Sequence, residues 1–93
     1  MKELAFRNYL RQLTITPDTV KRYVGDMVLI EQRMKEKNIG NGLDTTPLSI
    51  LSMLIESRMA DIVGVMNETS IQNYQTPGRH YVDFRRHISQ QAQ

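Results

Sequence analysis

The chain has 93 residues, 40% hydrophobic and 24% charged, a length and mixture that suit one globular domain and exclude a disordered or low-complexity segment. It contains no cysteine, which excludes disulfide staples and thiolate metal sites. No apolar run approaches the roughly 18 residues of a membrane span and no signal-peptide pattern opens the chain, so no membrane partner and a cytoplasmic location are expected.

The net charge of +2 is unevenly spread. Residues 1–42 carry eight Lys/Arg against five Asp/Glu; residues 43–75 carry Arg58 against Asp44, Glu56, Asp61 and Glu68; residues 76–93 carry Arg79, Arg85 and Arg86 against Asp83. Basic ends around an acidic middle suit a domain that offers one surface to an anionic partner and another to protein.

Three Thr-Pro pairs punctuate the sequence, at Thr16-Pro17, Thr46-Pro47 and Thr76-Pro77. Each predicts a helix start, because threonine can accept a bond from an unpaired N–H and proline fits the first helical position. A first helix is expected over about 2–13, with Phe6, Tyr9, Leu10 and Leu13 as one apolar stripe. A second runs over 17–37, with Val20, Tyr23, Val24, Met27, Ile30 and Met34 inward. Val28 and Leu29 lie off that stripe, which implies more than one neighbour. Gly25 costs about 1 kcal/mol relative to alanine there unless it permits a close crossing. Glu31 falls on the stripe and is read as a boundary residue with a local hydrogen bond, or else an interface contact. Asn38 to Gly42 is a stop and loop.

Leu48, Leu51, Ile55, Met59, Ile62 and Met66 hold a helical register over 47–66, favouring one helix, with a possible division near 57–61. Residues 67–75 read as connection. The last helix is expected over 77–89, before a polar, glutamine-rich end. Tyr81, Phe84 and Ile88 share its inward face; Arg79, Asp83 and Arg86 project from the other, with His80 and His87 on a flank. No segment alternates as a half-buried strand does. The prediction is a single all-α domain, a compact four- to five-helix orthogonal bundle.

No site for chemistry is legible. His80 and His87 are two helical turns apart, about 10 Å, too far to share one metal ion. No phosphate loop, metalloprotease helix or nucleophile–base pattern occurs. No cofactor and no enzymatic activity are expected.

The run Phe6-x-x-Tyr9-Leu10, then Thr16-Pro17-Asp18-Thr19-Val20-x-x-Tyr23 and Leu29-Ile30, with Arg79, Tyr81 and Phe84 in the last helix, resembles the N-terminal core-binding (SAM-like) domain of tyrosine recombinases and phage integrases. The similarity covers about residues 6–88. Two departures are Pro77-Gly78 at the entry to the last helix and the acidic 43–75 segment. The resemblance implies a DNA-clamping helical module without the catalytic Arg, His and Tyr set, which in that family lies in a separate domain. Double-stranded DNA is then the expected partner, and Arg7, Arg11, Lys21, Arg22, Arg79 and Arg86 its expected phosphate contacts. The rival reading is a protein–protein or self-association module that uses the Met-rich 48–66 region.

Overall fold

A computed structural model describes residues 1–91. The order is α1 (Glu3–Arg11), α2 (Pro17–Lys37), α3 (Leu48–Ser57), α4 (Met59–Val63) and α5 (Glu68–Gln91), with no strand among the described residues. The protein is an all-α bundle, as its sequence predicts.

α1 places Glu3 in its first turn and Arg11 in its last, matching the helix dipole. It is shorter at both ends than the 2–13 expectation. α2 begins and ends where the sequence places it. The Thr16 hydroxyl accepts from the Thr19 N–H at 3.3 Å, with Pro17 in the first turn. At the other end Asn38 turns left-handed (φ 58°), and the Ile39 N–H donates back to the Met34 carbonyl at 2.9 Å. The stripe from Val20 to Met34 is buried as read.

The second Thr-Pro pair behaves differently. Thr46 is buried, and its hydroxyl closes the preceding loop by accepting from the Asn41 N–H at 2.8 Å and donating to the Gly42 carbonyl at 2.6 Å. Gly40 (φ +66°) lies so near this hydroxyl, Met34 and Leu54 that a Cβ would stand 3.1–3.3 Å from all three. The loop therefore needs a residue with no side chain there.

The single helix favoured over 47–66 is corrected. It divides at Arg58 (φ −121°, ψ 12°), inside the 57–61 window that the sequence marks for a division, and α4 stops at left-handed Gly64. The larger correction is α5. Residues 68–75, read as connection, are helical, and Pro77 lies inside the helix instead of opening it. Pro77 leaves the Asn73 carbonyl without its usual helical donor. Tertiary packing offsets that loss, because Pro77 and Gly78 are both buried. A Cβ on Gly78 would stand 2.9 Å from Ile55 Cγ2, so α5 crosses α3 as closely as a glycine allows. The Gln75 side-chain amide donates to the Ile55 and Glu56 carbonyls at 3.3 and 3.1 Å, serving two acceptors at the end of α3. Gly25, by contrast, is exposed, and a Cβ added there would find nothing within 4 Å, so no crossing uses it. Gln90 and Gln91 of the expected polar end continue α5; its last two residues lie outside the described ones.

One core joins the helices. Tyr81 is fully buried, with its ring 4.8 Å from that of Phe6 and 5.3 Å from that of Phe84. Its hydroxyl donates to Asp44 Oδ1 at 2.5 Å and accepts from the Lys2 N–H at 3.3 Å. Burial and the Asp44 carboxylate push this phenol's pKa well above its ordinary value. Glu31 is not bonded locally. It accepts from the Met1 amino group at 2.9 Å, which also lies 3.3 Å from Asp44. A boundary position on α2 thus becomes a long-range tie. No helix among the described residues is long and apolar enough to cross a membrane.

Candidate nucleic-acid interface

α1 and α2 form a helical hairpin, and the basic residues on one side of it converge. Arg7 and Arg11 are one turn apart on α1; Lys21 follows one turn into α2. With Asp18 they line a cleft of about 540 Å³ whose apolar side is Ile15, Pro17 and Val20. Arg7 makes a loose ion pair with Glu3 at 3.4 Å. Arg11 and Lys21 are exposed and enter no ion pair among the described residues. Positive charge held beside low-dielectric walls is felt strongly by an approaching anion.

The other three expected contacts lie elsewhere. Arg79 and Arg86 line a separate cleft of about 280 Å³ with Ser52, Ile55, Glu56, Val82 and Asp83. There Arg79 grips Glu56 through two bonds, Nε to Oε1 at 2.7 Å and a terminal nitrogen to Oε2 at 2.9 Å. The guanidinium holds the Glu56 carboxyl below its ordinary pKa. Arg86 lies 3.3 Å from Asp83. Arg22 stands 5.2 Å over the ring of Tyr23 and borders a third cleft, of about 240 Å³, with Asp26, Ser70, Asn73 and Tyr74. The fold therefore brings Arg7, Arg11 and Lys21 together and gives Arg79 and Arg86 carboxylate partners.

The flank histidines both pack on tyrosines, His80 stacked and His87 tilted. His80 lies 5.3 Å from Tyr23 and His87 lies 5.4 Å from Tyr9, so each packs α5 against a tyrosine of the α1–α2 hairpin. Sequence reasoning missed the third cleft, because its α5 side comes from the stretch read as connection. A signal was present: Ile71, Tyr74, Gly78 and Tyr81 continue one helical face straight through Pro77, and the first two pack on the core.

No protein family, no curated protein and no solved structure that was compared with this chain matches it.

Proposed function

We propose that this chain is a non-catalytic DNA-binding module that holds duplex phosphates in the α1–α2 cleft. The observation that carries the reading is the meeting of Arg7, Arg11 and Lys21 from two helices, with Arg11 and Lys21 in no ion pair among the described residues. Guanidinium forks suit phosphate oxygens, and phosphate contacts of this kind position a protein on a duplex. Arg22 extends the basic surface along α2. Arg79 contributes less, because Glu56 holds it through two bonds, and Arg86 lies beside it in that same separate cleft. The resemblance of the residue pattern from Phe6 to Ile30, with Arg79, Tyr81 and Phe84, to an integrase core-binding domain supports the same reading and a SAM-like arrangement.

None of the tyrosines is assigned a chemical role. Tyr81 and Tyr23 are buried in the core, and Tyr81 spends its hydroxyl on Asp44. Affinity arises from release of counterions condensed on the DNA, so it falls steeply with salt.

Fluorescence anisotropy with a labelled duplex tests the proposal. The expected result is low-salt binding whose logarithm falls against the logarithm of salt with a slope of about −3, near −0.9 for each of three phosphate contacts. An affinity weaker than about 100 μM at low salt, the weak end of non-specific binding, overturns it. A second reading, self-association, is favoured by Ile50 and Met53, which lie one turn apart on α3 and are 43% and 48% exposed. A salt-insensitive dimer by light scattering, without DNA affinity, selects that reading instead.

A further inference from the structure

Asp26 stands in the middle of α2, half-buried, at the cleft between α2 and the opening turns of α5. Its carboxylate has no hydrogen bond and no ion pair among the described residues, although Arg22 lies one turn before it on the same helix. Arg22 instead leans over the Tyr23 ring, 5.2 Å from its centroid. Burial raises the Asp26 pKa despite that nearby guanidinium, as expected for a carboxylate short of donors.

The opposite wall is rich in acceptors. Ser70, Asn73 and Tyr74 line it, and their side chains make no hydrogen bond among the described residues. Beyond its helix, the Ser70 backbone N–H donates to Asn67 Oδ1 at 3.2 Å. Residues bearing a carboxylate, two hydroxyls and an amide thus line one cleft of about 240 Å³ from two helices, with no hydrogen bond joining them among the described residues. An anion would meet the Asp26 carboxylate directly, whereas Ser70, Asn73 and Tyr74 can each turn an oxygen lone pair to a donor. A cationic nitrogen group satisfies them together, because it brings several N–H donors and the counter-charge at once.

We propose that the α2–α5 cleft binds a guanidinium or primary ammonium group, with Asp26 as its counter-ion and Ser70, Asn73 and Tyr74 as neutral acceptors. Arg22 lines the cleft as well, leaning over the Tyr23 ring, and disfavours the same ligand by like charge. The cleft has room for the end of an arginine or lysine side chain. The group is carried either by a small free cation or by a basic residue of a partner protein. The inference does not rest on the DNA reading, since Arg7, Arg11 and Lys21 lie in another cleft.

The test is a two-dimensional amide NMR titration of the full chain at constant ionic strength. The probes are propylguanidinium chloride, butylammonium chloride and the blocked peptide acetyl-Gly-Arg-Gly-amide, with sodium chloride as reference. The expected result is saturable shifts at Asp26, Ser70, Asn73 and Tyr74, half-complete at about 1–10 mM, the range open to so small a ligand. Asp26→Asn weakens them at least tenfold, and Arg22→Gln strengthens them. Equal affinity for peptide and free cation points to a small-molecule source; tighter peptide binding points to a partner's side chain. The Asp26 carboxyl, followed by carbon NMR, titrates at lower pH with the cation bound, a readout that a purely structural role for Asp26 would not move. Shifts that stay linear with concentration, that sodium chloride reproduces, or that survive unchanged in a folded Asp26→Asn variant overturn the proposal.

Discussion

Two helix seams of this bundle use arginine in opposite ways. Along α3–α5, Arg79 is clamped by Glu56 beside the point where Gly78 meets Ile55, and Gln75 serves the end of α3. Along α1–α2, Arg11 and Lys21 enter no ion pair among the described residues and share their cleft with Ile15, Pro17, Val20 and Asp18. The first seam uses its polar groups to fix one helix on another; the second leaves them available. Residue type alone does not distinguish these roles, and the neighbouring chain does.

The largest expected effect tests the tighter seam. Gly78→Ala forces a Cβ to 2.9 Å from Ile55 Cγ2, and overpacking of this kind costs about 1–3 kcal/mol. A thermal melt of the variant should therefore fall by several degrees, at about 4–8 °C per kcal/mol for a domain of this size. Gly25→Ala changes the same residue type on an exposed helix face with open space around it, and should gain about 0.5–1 kcal/mol. If both variants shift the melt in the same direction, the close crossing of α3 and α5 is not what Gly78 serves. Truncating Ile55 in the Gly78→Ala background should cost less than the sum of the two single changes, which a double-mutant cycle reads directly.

The next effect bears on the open seam. Reversing charge in Arg11→Glu with Lys21→Glu should weaken duplex binding by tenfold or more, and should flatten the salt dependence by about two contacts. The matched pair Arg79→Glu with Arg86→Glu should change affinity several-fold less. Equal losses from the two pairs would show that the contrast between the seams does not govern binding.

The smallest effect is the ion pair itself. Arg79 and Glu56 are about half exposed, at 54% and 44%, so solvent screening limits Arg79→Gln to about 0–1 kcal/mol. Its pH signature has a definite sign. The Glu56 carboxyl is held below its ordinary pKa by Arg79, so the stabilisation is present above the unfolded-state carboxylate pKa and is lost as pH falls through the lower folded value. Wild type and Arg79→Gln should therefore differ slightly in urea midpoint at neutral pH and converge in acid. A difference that grows on acidification would contradict the assignment.

Much of the bundle is legible from periodicity. The α2 boundaries follow from Thr16, Pro17 and the Asn38 stop, and the buried stripe from Val20 to Met34 follows from helical spacing. Tyr81 and Phe84 face the core as their register implies. Three identical Thr-Pro signals, however, have three outcomes: a helix start capped by Thr16 at 16–17, a helix start at 46–47 whose threonine closes the preceding loop instead of capping, and a helix interior at 76–77. A threonine hydroxyl bonds whichever backbone group lies near, and that neighbour is set by the fold. The basic candidates were readable one by one. Which of them share a cleft, and which face a carboxylate 23 residues away, was not.

Local sequence determined the helical class and the inward faces, because turns of helix and their caps depend on residues within a few positions of one another. Tertiary structure decided where α5 begins, how Pro77 is tolerated, where Glu31 finds its partner and which arginines keep their charge free. Each of those outcomes depends on a contact between residues distant in the chain, and such contacts exist only after the helices have packed.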